Sequence, residues 1–288
     1  MTTAMPSLLP TPPEMLAGLY TALPQFRQIQ WVNETASTNA DLLHQARTTE
    51  QNLARPWLLG THLQTQGRGR AGRTWQNRTG ANLMFSCAFD VFLPAHQLAT
   101  LSPLAGLAAG EALRTLIGPA HQPGLTVKWP NDIQWQSSKL AGILVEVTRA
   151  GTARLARDHH VAIIGIGINL NDARALSQSL NRQVADWAEI AKVDAQASAA
   201  SPMAIVAGIA RAWYATINDV IREGFAEFPA RYARLDALAG QHINVLDNDR
   251  IVHAGIACGI TPAGQLRVRT PEGETPISVG EISVRAHT

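Results

Sequence analysis

The chain has 288 residues, 46% hydrophobic and 16% charged, the composition of a globular protein with a sizeable core rather than a disordered one. Lys and Arg number 24 against 22 acids, and a net charge of +2 argues against a wholesale polyanion binder. Two distant cysteines, Cys87 and Cys258, exclude a disulfide scaffold, and no apolar run approaches the roughly 20 residues of a membrane span.

The first cation is Arg27, so the start of the chain lacks the basic stretch of a signal peptide, and a soluble cytoplasmic protein is expected. Residues 1–28 read as a proline-rich extension. Pro6, Pro10, Pro12 and Pro13 leave room for one short helix over Glu14–Leu23 and none for a three-helix DNA-binding domain. Trp31–Glu34 reads as a short strand, and Ser37 or Thr38 caps a helix over Asn39–Arg47. Trp57–Gln64 and Leu83–Phe89 are strand-like, and Leu98–Ile117 has helical spacing that Gly118-Pro119 stops. Leu125–Trp129, Gly142–Thr148 and the apolar run Val161–Asn169 read as strands, the last one buried. Amphipathic helices are predicted over 203–223 and 225–235.

After a boundary near Asp236–Gly240 the texture changes. His242–Leu246, Arg250–Gly255, Gln265–Arg269 and Ile282–Val284 are short strand-like runs. Turn signals at Asp247-Asn248-Asp249, Thr261-Pro262-Ala263-Gly264 and Pro271-Glu272-Gly273 separate them. A small β-barrel is expected there.

The densest local feature is Gly67-Arg68-Gly69-Arg70-Ala71-Gly72-Arg73. Between Glu50 and Asp90 there is no acid, while Arg55, Arg68, Arg70, Arg73 and Arg78 fall inside that interval. A basic loop hinged on glycine suits a phosphate or a mixed anhydride: backbone N–H groups approach the anion and guanidiniums supply forked donors. Gly67, Gly69 and Gly72 also match a dinucleotide-binding spacing, but Thr74–Asn82 has no helical period and leads into a strand. An RNA-binding arginine–glycine tract and a plain solvated loop are the other readings. Repulsion among the arginines and a lack of apolar anchors predict a mobile loop.

Lys128-Trp129-Pro130-Asn131-Asp132 breaks a strand, and Lys139 opens the next, so the two lysines bracket a hairpin-like turn. Only three lysines occur in the chain, Lys128, Lys139 and Lys192, which marks this pair. Asn131, Asp132 and Lys139 can converge at strand ends; each taken alone also fits a turn former or a surface charge.

Taken in order, these segments resemble the biotin–protein ligase family. The resemblance rests on residues 67–75, Gly80-Ala81-Asn82-Leu83, Lys128–Asp132, Lys139–Glu146, Glu34–Asn39 and Gly165-Ile166-Gly167-Ile168-Asn169, and covers about residues 31–285. It implies an α/β (α+β) fold: a mixed-sheet catalytic domain of the biotin/lipoate ligase, class II synthetase-like type over 29–237, and a small Src-homology-like barrel over 238–288. It implies ATP-dependent activation of biotin to biotinyl-5′-AMP, then transfer to a lysine of the biotin carboxyl carrier protein of acetyl-CoA carboxylase. Mg2+ is expected with ATP, its ligands unassigned.

On the same footing, Lys139, Arg70 and Asp132 are candidate catalytic residues. Lys139 would hold carboxylate and phosphoryl oxygens, and Asp132 would orient or deprotonate the acceptor amine. Biotin contacts are expected from Ser37, Thr38, Asn39, Gln64, Arg68, Gly69, Arg70, Lys139 and Gly142. ATP or adenylate contacts are expected from Arg68, Arg70, Arg73, Trp75, Lys128, Asn131 and Asn169, with Trp75 and Trp129 as aromatic surface. A monomer or homodimer without DNA or membrane partners is expected. A lipoate or octanoate ligase on the related fold, or a biotin-sensing repressor-like binder, are the alternatives.

Overall fold

Pro12 and Pro13 begin a helix rather than prevent one, because N–H groups in a first turn have no intrahelical partner to lose. This helix, α1 (Pro12–Ala22), is fastened by Glu14, whose Oε2 accepts the Thr11 N–H at 2.8 Å and the Thr11 hydroxyl at 2.7 Å. Leu9, Met15, Leu19 and Leu23 are buried in the main core, so this stretch of the expected extension is built into the fold. The computed structural model describes residues 9–48, 54–149, 158–247, 250–278 and 283–286. Pro6, the turn at Asn248-Asp249 and Ile282 of the last expected strand lie outside them.

Next come β1 (Gln28–Thr35), α2 (Thr38–Thr48), β2 (Trp57–Gln64) and β3 (Asn82–Phe92). Then follow α3 (Leu101–Arg114), β4 (Leu125–Lys128), β5 (Asp132–Trp135), β6 (Ser138–Arg149) and β7 (His159–Asn169). Helices α4 (Ala173–Leu180), α5 (Trp187–Val193), α6 (Ala195–Ala199), α7 (Pro202–Glu223) and α8 (Phe228–Ala233) lead to the second sheet. That sheet holds β8 (His242–Asp247), β9 (Arg250–Ile260), β10 (Leu266–Thr270), β11 (Gly273–Ile277) and β12 (Ser283–Ala286).

The larger sheet has the order β1-β2-β3-β7-β6-β5-β4, and β1–β2 is its one parallel pair. Helices α1, α3 and α7 cover one face and α2 the other. β7 is buried along its whole length, which explains its continuous apolar run. Its Ile164, Ile166 and Ile168 enter the core under α3 and α7, while Val161 and Ile163 enter the smaller core under α2. Burial of each such isoleucine contributes about 1.5–3 kcal/mol.

The expected helix over 98–117 is divided. A 3-10 segment, Ala95–Thr100, precedes α3, and Pro103 falls in the first turn of α3, where proline is tolerated. Between Lys128 and Lys139 the chain makes a whole extra strand, β5, rather than one turn. The second sheet is antiparallel throughout, in the order β11-β10-β9-β8-β12, as expected for the small terminal unit. It meets the larger one at the turn 261–264: Trp129 Nε1 donates to the Gly264 carbonyl at 2.9 Å, and the Thr100 hydroxyl to the Ala263 carbonyl at 2.9 Å. No helix among the described residues is long and apolar enough to cross a membrane.

Candidate active site

Parallel pairing of β1 with β2 brings their C-terminal ends together, with Thr35 opposite Gln64. The turn into α2 and the arginine–glycine loop therefore leave the sheet side by side. Across the sheet one row of the ladder runs Thr61, Met84, Gly167, Gly142, Asp132, Lys128. Directly paired residues point to the same face, so this row lays two glycines between the polar end of β2 and a charged pair on β4 and β5.

At one end lies a buried hydrogen-bond network, neutral up to the ion pair on which it closes. Ser37, Thr38 and Asn39 are each less than 5% exposed. The Thr38 N–H donates to Gln64 Oε1 at 2.9 Å, and the Thr38 and Ser86 hydroxyls lie 2.7 Å apart. Ser86 donates to Asn39 Oδ1 at 2.7 Å, and Asn39 Nδ2 donates to Glu146 Oε2 at 3.0 Å. Glu146 closes the chain by pairing with Arg68 at 3.0 Å.

The glycines of β7 alternate with its isoleucines and face this side. A Cβ at Gly165 would stand 2.1 Å from Asn39 Oδ1 and 2.8 Å from Ser86 Oγ. One at Gly167 would stand 2.3 Å from the Trp75 ring, and one at Gly142 3.1 Å from it. Trp75 thus lies on a bare backbone floor, its Nε1 buried without a hydrogen-bond partner among the described residues. Arg68 bridges to Thr74, the Gly69 N–H donates to the Arg73 carbonyl at 2.7 Å and the Trp75 N–H to Gly67 at 2.8 Å. The loop is therefore a hairpin with an aromatic anchor, where the sequence suggested none.

At the other end the charge is concentrated. The larger cavity, about 730 Å3, is lined by Arg68, Arg70, Arg73, Lys128, Lys139 and Arg182, with Asp132 as its one carboxylate among the described residues. Lys139 Nζ donates to Asp132 Oδ1 at 2.6 Å and lies 5.8 Å from the Trp75 ring centroid. Arg70 Nη1 donates to Asn131 Oδ1 at 3.1 Å. Burial pushes the Arg70 guanidinium down from its ordinary value, with Asp132 acting the other way. A second cavity of about 410 Å3 adjoins across Trp75, bordered by the Arg78–Asp172 ion pair at 2.6 Å.

All of the expected contact residues line the larger cavity except Asn169. Asn169 is 1% exposed and lines neither cavity; its Nδ2 donates to the Lys139 and Ala185 carbonyls and its Oδ1 accepts from Asn82. Trp129 is 2% exposed, with its N–H spent on the second sheet. Ser86, Glu146 and Arg182 carry no site role in the sequence reading, Glu146 entering only as the end of the run Lys139–Glu146. The first two act only across strands, and Arg182 follows a helix that carries no strong sequence signal. No group of three or more His, Cys, Asp or Glu side chains converges among the described residues, so this donor set does not make a cage for a resident metal.

Residues 31–169 match the family model described as the Biotin/lipoate A/B protein ligase family, and 239–285 that of the Biotin protein ligase C terminal domain. The chain is 31% identical over 252 residues to the biotin–[acetyl-CoA-carboxylase] ligase of Paracoccus denitrificans, covering 86% of this chain and 97% of that one. It is 30% identical over 224 residues to the bifunctional ligase/repressor BirA of Escherichia coli, covering 77% of this chain and 64% of that protein's length. With the Mycobacterium tuberculosis biotin–[acetyl-CoA-carboxylase] ligase it shares 37% identity over 51% of either chain. The fold resembles the Aquifex aeolicus biotin protein ligase in complex with biotin and ATP, at TM-score 0.69 and 26% identity over 91% of this chain and 100% of that one.

Proposed function

Since this chain belongs to the biotin/lipoate protein ligase family, we propose that it is an ATP-dependent biotin–protein ligase acting in the cytoplasm. The observation that carries the reading is the polarity of the larger cavity: a neutral buried network at one end, cations at the other. Biotin has that polarity, a neutral ureido head and a carboxylate tail. Ser37, Thr38, Asn39, Gln64 and Ser86 offer donors and acceptors to the head, Gly142, Gly165 and Gly167 a floor without side chains, and Trp75 an apolar surface.

In the first step the biotin carboxylate attacks the α-phosphorus of ATP and pyrophosphate leaves. Lys139 and Arg70 hold the carboxylate and phosphoryl oxygens together, and Arg68, Arg73, Lys128 and Asn131 take the remaining charge of the nucleotide. Preorganised cations of this kind stabilise charge developing in phosphoryl transfer. Mg2+ would enter as the counter-ion of ATP. In the second step a lysine amine of a biotin carboxyl carrier protein attacks the mixed anhydride and AMP leaves. Asp132 orients that amine and accepts its proton. Asn169 serves from below, fixing the Lys139 carbonyl. We read 29–237 as the catalytic unit, with residues 9–28 as its outer layer, and 238–288 as the small second unit.

Pyrophosphate exchange into ATP tests this reading with biotin, lipoate and octanoate supplied separately. Exchange with biotin alone, and biotin on one lysine of a carrier domain, are the expected results. Exchange with lipoate or octanoate and not with biotin would move the protein to the other branch of the family.

A further inference from the structure

Trp129 sits inside the segment that carries Lys128, Asn131 and Asp132, yet its indole N–H is committed to a carbonyl of the other sheet, that of Gly264, at 2.9 Å. The turn presenting that carbonyl is wedged in place. Gly264 has φ +73°, and a Cβ there would stand 2.9 Å from Pro103 Cγ and 3.2 Å from Thr100 Cγ2, so the turn lies against the start of α3. The Thr100 hydroxyl donates to the neighbouring Ala263 carbonyl at 2.9 Å. The Gly264 N–H closes the turn on the Thr261 carbonyl at 2.9 Å.

The residues that follow Trp129 are held on both sides. A Cβ on Gly106 of α3 would stand 3.4 Å from the Pro130 carbonyl and 3.7 Å from Asn131 Cα, so the helix that seats the turn also backs this segment. Asn131 is clamped to β6: its Nδ2 donates to the Ile143 carbonyl, and the Ile143 N–H donates to the Asn131 carbonyl at 3.1 Å. Its free amide oxygen accepts from Arg70.

We propose that the turn Thr261–Gly264 of the second sheet sets the position of the nucleotide side of the adenylation centre through Trp129, which acts as a positioning residue for Asn131. The proposal rests on the ligase reading above for its kinetic consequence, but not for the mechanical link itself. Displacements of about 1 Å in a reacting centre cost up to about a hundredfold in rate, so a contact distant from the substrates is enough to act. The neutral network of Ser37, Thr38, Asn39 and Ser86 belongs to other strands, and the effect should fall on the nucleotide and not on biotin.

Two variants test it. Trp129→Phe keeps an aromatic ring and removes the N–H donor. Thr100→Val is isosteric, removes the other tie to the same turn, and lies outside both cavities. In biotin-dependent pyrophosphate exchange each should raise KM for ATP about tenfold, while biotin affinity measured calorimetrically without ATP shifts less than about twofold. Thr100→Ser should restore the wild-type KM. Hydrogen–deuterium exchange of the ligand-free protein should show faster exchange over 125–135 in both variants. Equal losses for ATP and biotin, an unchanged KM for ATP, or unchanged protection over 125–135 would each overturn the proposal. A wild-type protein without biotin-dependent exchange would instead overturn the ligase reading, and the ligand-free exchange data would still decide the link.

Discussion

Lys139 and Asp132 stand on neighbouring strands with Nζ and Oδ1 2.6 Å apart, each turned toward the same cavity. The register puts Asp132 opposite Gly142 and Lys139 opposite Gln134, across the irregularity between Ile133 and Gln134. The pair therefore depends on that irregularity, and each partner holds the other at the cavity wall.

Removing the ammonium should strike the first step. Lys139→Ala is expected to slow biotin-dependent pyrophosphate exchange about a hundredfold, the loss of about 3 kcal/mol typical of one preorganised charge-assisted donor. The far-ultraviolet circular dichroism should stay native. Near-normal exchange with a native spectrum would remove Lys139 from the mechanism.

Asp132→Asn separates the two steps. If the carboxylate accepts the acceptor proton, transfer from preformed biotinyl-5′-AMP to the carrier should fall at least about tenfold more than adenylation. Rapid-quench measurement of each step reads the ratio, and equal losses would reduce Asp132 to a holder of Lys139.

Gly165→Ala places a methyl where Asn39 and Ser86 meet. Asn39 must move, and its bonds to Ser86 and Glu146 go with it. Biotin affinity should weaken by about tenfold or more, as expected when one or two buried hydrogen bonds are lost. Calorimetry checks this, and unchanged affinity would mean that the ureido head binds elsewhere.

Trypsin should cut the free protein in the arginine–glycine hairpin, where Arg73 and Arg78 are exposed. Biotin with ATP should suppress that cleavage, because charge-assisted bonds of about 1.5–3 kcal/mol each favour the closed hairpin. Equal cleavage rates with and without the ligands would make the hairpin a static wall.

His62 sets an acid limit on stability. It is 8% exposed, its Nε2 has no hydrogen-bond partner among the described residues, and burial holds its pKa below the ordinary value despite the Pro10 carbonyl. The unfolded chain then takes up the proton more readily than the folded one. Stability is full above the ordinary histidine value of about 6.5 and declines as pH falls from there toward the folded value. Thermal melts between pH 8 and 5 should show that decline, and His62→Phe, which cannot titrate, should flatten it.

The strand β7 could be read from sequence because burial on both faces leaves a continuous apolar run from Val161 to Ile168. β5 escapes because four residues cannot show a period, and α5 and α6 because helices of seven and five residues are too short to show one and their starts depend on capping by Asp186 and Asp194. β11 carries Gly273 and Pro276, which spell a turn locally and become an edge strand only through pairing with β10. In the cavity, the runs at 67–75 and 128–132 are legible because glycine, arginine and lysine are informative in themselves, whereas Ser37-Thr38-Asn39 reads locally only as a helix cap and points to a ligand through the family resemblance. Ser86 and Glu146 are ordinary strand residues until β3 and β6 bring them to Asn39. Trp129 lines the cavity as its neighbours suggest, but the partner of its N–H lies 135 positions along the chain and leaves no local signal.

β7 has consequences for how this protein can change. One strand separates the packed interior from the cavity, and its residues answer alternately to one side or the other. A saturation scan of 164–168 should resolve into two interleaved spectra. Changes at Ile164, Ile166 and Ile168 would lower abundance in the cell while leaving the affinity of surviving molecules intact. Changes at Gly165 and Gly167 would leave abundance nearer normal and narrow the range of acids accepted. Inheritance could then retune the ligand without renegotiating the core, along a single stretch of five codons.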